Sequence, residues 1–201
     1  MAQRTTTLDP ASGFSRRDFL RGSGAVAAAT AVSHEARVAL AQEKGAKVVS
    51  GTQTITLNVN GKDQQVKVEP RTTLLEALRY QLDLTGAKPI CTDGSSGGAT
   101  ILVDGKPMQA NTMLAMQAAG KKITTVEGLA KDPVPAAFVE CDAQQCGFCT
   151  PGFVVGVRAF LNMHPKATEE EIRKGLNGNL CRCGTYANVI QAALKVVKGG
   201  A

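Results

Sequence analysis

The sequence predicts an α+β protein in which a β-grasp domain is followed by a small four-helix bundle. Three observations support this prediction. Apolar residues alternate on both sides of Asn60-Gly61, which is typical of a β-hairpin. Thr73 and Glu76 then form a capping box that starts a helix. After residue 135 the apolar residues recur at helical spacing. Hairpin, helix, loop and further strands is the order of a β-grasp domain.

The β-grasp domain is predicted over residues 52–130. Its first strand has Ile55, Leu57 and Val59 on one face, and Pro70 ends the second strand. The remaining features of this domain are a glycine-rich loop at 93–98, a strand at 100–103, a turn at 104–105 and a strand at 123–126.

The helical domain is predicted over residues 131–199. Two prolines within 131–135 favour an extended linker that packs against nothing. Beyond it, Thr168 and Glu171 form a second capping box, with three acids in the first helical turn. The predicted helices cover 136–143, 153–161, 168 to about 178, and 187–197.

Residues 1–41 are predicted to be a twin-arginine signal peptide. Arg16-Arg17 precede a weakly apolar stretch of small residues at 22–32, and Ala39-Leu40-Ala41 is an A-x-A site, so we expect cleavage after Ala41. The apolar stretch is about half the length that a membrane span requires, so no stable anchor is expected. The signal predicts a periplasmic protein that folds, and takes up any cofactor, before export.

Charge and composition exclude little beyond nucleic-acid binding. The chain has 201 residues, a net charge of +6, and 43% hydrophobic residues. Its Lys and Arg residues are scattered, and no run is dense enough to indicate binding to nucleic acid.

Four of the six cysteines form two tight pairs, Cys146/Cys149 and Cys181/Cys183, with 31 residues between the pairs. Pairs this close cannot join distant loops as disulfides, and the spacing indicates metal ligation. A [2Fe–2S] cluster is the first interpretation, zinc the second, and a redox disulfide the third. Cys141 falls outside both pairs and is expected to be a small core residue.

The segments 144–152 and 178–184 resemble the helical iron–sulfur domain of the xanthine dehydrogenase and aldehyde oxidoreductase family, the molybdenum hydroxylases. Residues 86–88, 101–105 and 123–129 are similar to that family's N-terminal ferredoxin-like domain. The resemblance implies a small electron-transfer subunit with one [2Fe–2S] cluster. Its partner would be a large catalytic subunit that holds a molybdopterin cofactor and oxidises aldehydes or N-heterocycles. It also implies that Cys183 lies against that pterin and Gln145 near it.

The chain departs from the family where a second, plant-type cluster should lie. Such a cluster needs a C-x4-C-x2-C segment and a fourth cysteine further on. Cys91 stands at the first position, but Ser96 and Ala99 occupy the second and third, and Met113 the fourth. Ile90 replaces the glycine that the family usually has. We therefore predict that this site holds no cluster, and that nothing fixes the loop at 93–98, which would be mobile.

The resemblance implies an electron acceptor that is a flavoprotein or a c-type cytochrome. Without the distal cluster, this acceptor must approach the remaining cluster by another route. The alternative is that the chain serves the complex as a scaffold and export subunit with little redox role.

Overall fold

The computed structural model describes residues 49–199, so the predicted signal peptide lies outside the described residues. The strands are β1 (Gln53–Val59), β2 (Lys62–Val68), β3 (Thr100–Val103), β4 (Lys106–Gln109) and β5 (Lys122–Thr124). The helices are α1 (Leu74–Tyr80), α2 (Pro133–Glu140), α3 (Thr150–Met163), α4 (Glu169–Gly175) and α5 (Tyr186–Lys198). Short 3-10 helices cover Ala115–Ala118 and Val126–Leu129. Within these residues, no helix has the length and apolarity to cross a membrane.

The five strands form one sheet in the order β2-β1-β5-β3-β4. β1 and β2 are antiparallel and joined by Asn60-Gly61, both with positive φ, so the predicted hairpin is confirmed. β5 pairs with β1 in parallel and with β3 antiparallel. The capping box at Thr73 and Glu76 is formed, and the α1 residues Leu74 and Leu78 are fully buried beneath the sheet's apolar residues.

The second half of the described chain is a four-helix bundle, as predicted. α3 supplies Phe153 and Val157 to its core, and α5 supplies Val189 and Ala193. The capping box at Thr168 and Glu171 starts α4. Residues 50–199 lie within one compact unit.

The prediction of an extended linker at 131–135 is wrong. α2 begins at Pro133, and Asp132 caps it by accepting the N–H of Val134 at 2.9 Å. A proline at the first helical position loses no hydrogen bond, because that N–H has no partner within the helix. Val134 is fully buried, so this segment is packed.

Three smaller boundaries also differ from the sequence predictions. The predicted strand at 123–126 ends at Thr124, because Val126 begins a 3-10 helix. α3 begins at Thr150, before the predicted start at Phe153, and it includes Pro151 in its first turn. α4 ends at Gly175 rather than near Gly178. Strand β4 and the 3-10 helix at Ala115–Ala118 were not predicted.

Candidate metal centre

The four paired cysteines lie in the two turns of the helical bundle, at helix ends. Cys146 and Cys149 precede α3, and Cys181 and Cys183 precede α5. All four are free thiols, so the structure contains no disulfide between them. Gly147 and Gly184 both have positive φ. Glycine adopts this backbone conformation without strain, so it allows a sharp turn within the first cysteine pair and directly after the second.

The thiols come together across the turns rather than within each motif. Cys146 and Cys183 lie close enough to shift each other's pKa, and so do Cys149 and Cys181. Among the described residues, no three His, Cys, Asp or Glu side chains converge as closely as a single metal ion requires. In a two-iron cluster each iron needs two protein sulfurs. Two separate thiol pairs therefore suit such a cluster better than they suit one tetrahedral zinc ion.

Cys149 and Cys181 form the inner pair of the site. Burial is the main cause that raises the pKa of Cys149 to about 12, and the neighbouring Cys181 adds to it. Burial also acts to raise the pKa of Cys181. Hydrogen bonds with Thr185, whose hydroxyl oxygen lies 3.3 Å from the sulfur, outweigh it and bring that pKa to about 7. Cys181 is therefore the more acidic thiol of this pair, and both thiols must be deprotonated when they bind a metal.

Cys146 and Cys183 form the outer pair, and both are exposed. The main-chain N–H of Phe148 and then the Cys183 thiol lower the pKa of Cys146. A main-chain hydrogen bond with Cys146 lowers the pKa of Cys183. This effect is outweighed because the Cys183 thiol donates to the Cys146 sulfur and lies near the charges of Cys146 and Cys181, so the pKa of Cys183 is raised overall. The outer edge of the site is thus open to a partner, while the inner edge is packed.

Residues outside the cysteine motifs support the turns. The N–H of Cys181 donates to the Tyr186 hydroxyl oxygen at 2.8 Å. The Tyr186 ring packs edge-to-face on Phe153, with centroids 6.0 Å apart. Asn188 on α5 donates to the main-chain oxygen of Asp142 at 2.9 Å and so ties the helix that follows Cys183 to the segment that precedes Cys146. Sequence reasoning missed these residues, although Tyr186 and Asn188 lie close behind the C-R-C pair.

Two further residues considered in the sequence analysis, Gln145 and Cys141, are not among the four paired cysteines. Gln145 is exposed and directly precedes Cys146. Cys141 is half-buried and packs against the core of the helical bundle, which confirms its prediction as a core residue.

The position of the plant-type cluster is filled by protein atoms. Ala99 and Met113 are buried in the core of the sheet domain, and Ser96 is also buried. The Cys91 sulfur lies 2.8 Å from the Ser96 hydroxyl oxygen. Hydrogen bonds with Ser96 outweigh the effect of burial and lower the pKa of Cys91. Of the four positions, only Cys91 carries a thiol, so the residues present do not fit a second cluster.

The glycine-rich loop is bonded to a distant turn at Ser96 and Gly97, so the expectation that nothing fixes the loop at 93–98 is wrong. Asp93 accepts hydrogen bonds from the N–H and hydroxyl of Ser95. The main-chain oxygens of Ser96 and Gly97 accept donors from the turn before Cys181. The sequence could not show these contacts because they join segments more than 80 residues apart.

Comparison with known families gives two matches along the chain. Residues 125–194 match the [2Fe–2S] binding domain, and residues 13–33 match the signal sequence of the twin-arginine translocation pathway. The second match confirms the predicted export signal. The first match covers all four paired cysteines.

Whole-chain relatives decide the family. The chain is 39% identical to the aldehyde oxidoreductase iron–sulfur-binding subunit PaoA of Escherichia coli K12, over 88% of this chain and 85% of that protein. It is 40% identical to the nicotinate dehydrogenase small FeS subunit of Eubacterium barkeri, over 72% and 95%. The chain belongs to the family of iron–sulfur subunits of the molybdenum hydroxylases. It is therefore an oxidoreductase subunit with a [2Fe–2S]-binding domain.

Solved structures agree with this family in fold. A chain of quinoline 2-oxidoreductase from Pseudomonas putida 86 matches with a TM-score of 0.72 at 39% identity, over 75% of this chain and 97% of that chain. Aldehyde oxidoreductase from Desulfovibrio gigas matches with a TM-score of 0.68 at 32% identity, over 72% of this chain but only 17% of the longer one. The predicted α+β fold with its iron–sulfur bundle is confirmed.

Proposed function

We propose that Cys146, Cys149, Cys181 and Cys183 ligate one [2Fe–2S] cluster that carries electrons away from the molybdenum cofactor of a large catalytic subunit. A bound [2Fe–2S] cluster supplies one-electron transfer. The observation that carries the proposal is the meeting of two thiol pairs from separate turns, Cys146 with Cys183 and Cys149 with Cys181.

The exposed edge of the site supports contact with the large subunit. Phe148 and Leu180, each next to or within a cysteine motif, are about half exposed, and Tyr186 is also exposed. Large apolar side chains grouped at an exposed edge are typical of a protein interface. We place Cys183 against the partner's pterin and Gln145 near it, and the exposure of both residues supports this placement.

The class of substrate follows from the relatives alone. Relatives are named for aldehydes, nicotinate, nicotine and caffeine. We assign this chain to an enzyme that oxidises an aldehyde or an N-heterocycle, with the choice made by the large subunit. The electron acceptor would be a flavoprotein or a c-type cytochrome that approaches the one remaining cluster.

The complex is proposed to act in the periplasm, with cleavage after Ala41. The twin-arginine match at 13–33 supports export. The division into a ferredoxin-like domain at 52–130 and a cluster-binding domain at 131–199 is part of the same proposal.

The test is a cysteine substitution in the purified complex. Cys146→Ser should remove the [2Fe–2S] EPR signal and abolish acceptor-dependent turnover, because a serine hydroxyl rarely ionises to the anion that iron needs. Cys141→Ser, outside the motifs, is the matched control and should keep both. Retained turnover in Cys146→Ser without the EPR signal would contradict the relay role.

A second candidate function is a scaffold and export subunit of the same complex. The observation that favours it is the burial of Ala99 and Met113, which gives the first domain a packed core where the family has a redox centre. Replacing Arg16-Arg17 with Lys-Lys should leave the large subunit in the cytoplasm if it travels with this chain. Normal export of the large subunit would contradict this role.

A further inference from the structure

The glycine-rich segment 96–98, at the position that a plant-type cluster would need, contacts the turn that carries Cys181. The main-chain oxygen of Ser96 accepts the N–H of Leu180 at 2.9 Å. The main-chain oxygen of Gly97 accepts the side-chain amide of Asn179 at 3.0 Å. Leu180 directly precedes Cys181, so both bonds end within two residues of the thiol.

The same segment packs against the start of α3, which follows Cys149. A Cβ on Gly152 would lie 2.4 Å from the Gly97 oxygen, and a Cβ on Gly97 would lie 2.4 Å from the Gly178 oxygen. Side chains at these positions would force the backbones apart. The segment 96–98 therefore touches the chain beside both thiol-bearing turns.

Asn179 fills the space between this segment and α3. Its amide nitrogen donates to Gly97, and its side-chain oxygen faces Gly156, where an added Cβ would lie 2.9 Å away. On the other side of Cys181, Thr185 and Tyr186 make the contacts described above. The Cys181 turn is thus supported from α5 on one side and from Asn179 and the 96–98 segment on the other.

We propose that Asn179 is a positioning residue for the cluster, and that it acts by tying the Cys181 turn to the 96–98 segment of the first domain. This inference rests on the proposed function, because it assumes that Cys181 is a ligand. It gives the 96–98 segment a role that needs no cluster of its own. Groups that orient a ligand from outside the metal shell affect metal affinity by about 10- to 100-fold.

The test compares purified iron-loaded protein of the wild type, Asn179→Ala and Asn177→Ala. Asn177 lies two residues earlier on the same turn and is exposed, so its substitution is the matched control. Asn179→Ala should lose iron to a chelator about 10- to 100-fold faster and should show a shifted [2Fe–2S] EPR spectrum. Asn177→Ala should match the wild type in both.

A purely structural role would lower the unfolding midpoint of Asn179→Ala while its EPR spectrum and iron release stayed those of the wild type, and that result would overturn the proposal. If Asn179→Ala does not fold, the iron release and EPR spectrum of Asn179→Asp are measured instead. It keeps nearly the same shape but loses the donor to Gly97, and wild-type behaviour in it would also overturn the proposal. A wild-type protein without any [2Fe–2S] signal would refute the proposed function itself and not only the role of Asn179.

Discussion

The side-chain amide of Asn179 donates a hydrogen bond to the main-chain oxygen of Gly97 at 3.0 Å, across 82 residues of sequence. Gly97 lies in the loop that lacks cluster ligands, and Asn179 lies two residues before Cys181. This contact joins the ferredoxin-like part of the chain to the turn of the proposed cluster. The loop is therefore part of a packed interface, and its glycines are needed for close approach.

Gly152→Ala should lower the free energy of unfolding by about 1–3 kcal/mol, because the added Cβ would lie 2.4 Å from the Gly97 main-chain oxygen. Urea denaturation of the iron-loaded protein measures the change. Gly178→Ala is the control, since a Cβ there meets no atom within 4 Å. Equal effects of both substitutions would contradict the close approach, because helix propensity and unfolded-chain entropy by themselves favour alanine over glycine.

Asp132 both caps α2 and lies beside a partly buried arginine. One oxygen accepts the N–H of Val134, and the other lies 3.0 Å from Nε of Arg158, without the alignment of a hydrogen bond. Asp132→Ala should cost about 2–3 kcal/mol, since it removes the cap and leaves the guanidinium without its counter-charge. Asp132→Asn keeps a good capping group, so it should lower the free energy of unfolding by about 1 kcal/mol less than Asp132→Ala does.

The control for Asp132 is Glu169→Gln, which breaks an exposed pair with Arg173 and should cost less than about 0.5 kcal/mol. All three variants are compared by urea denaturation at pH 7. An Asp132→Asn variant as unstable as Asp132→Ala would show that the cap contributes nothing.

Glu171 makes the stability of the bundle depend on pH. The Thr168 main-chain N–H and then its hydroxyl lower the pKa of Glu171 below its ordinary value of 4.5. A carboxyl group whose folded pKa is lowered stabilises the fold above its unfolded pKa, and this contribution is lost as the pH falls through the folded value. Glu171→Gln should therefore melt at a lower temperature than the wild type at pH 7. This difference from the wild type should become smaller below about pH 4.5.

Glu170→Gln is the matched control for Glu171, since Glu170 is exposed in the same helical turn and pairs with Lys174. Melting temperatures of the wild type and both variants are compared at each pH, so that any general effect of acid cancels. If the melting temperature of Glu171→Gln stayed as far below that of the wild type in acid as at pH 7, or fell further below it, the capping-box contribution would be contradicted.

Local signals in the sequence predicted most of the fold. The Asn60-Gly61 hairpin and both capping boxes are short-range features whose physics acts within four residues, and all three are formed. Proline breaks helices in their interior, so the sequence alone favours a linker at Pro133. At the first position of α2 it costs nothing, and only the burial of Val134 reveals that the segment is packed.

The sequence predicts the ligands of the candidate site but not the contacts that hold the two cysteine-bearing turns in place. The spacing of Cys146, Cys149, Cys181 and Cys183 is a local pattern, whereas the pairing of sulfurs across the two turns needs the folded bundle. The contacts of the loop at 93–98 are unpredictable for the same reason. Its partners lie in the distant turn before Cys181, and a sequence shows no contact of that range.

The most direct test of a single [2Fe–2S] cluster on these four cysteines is the iron content of the purified protein, measured together with its EPR spectrum after reduction. We expect about two iron atoms and two acid-labile sulfides per chain, and one [2Fe–2S] signal that Cys181→Ser removes and Cys91→Ser leaves unchanged. About four iron atoms per chain, two distinct [2Fe–2S] signals, or zinc in place of iron would contradict it.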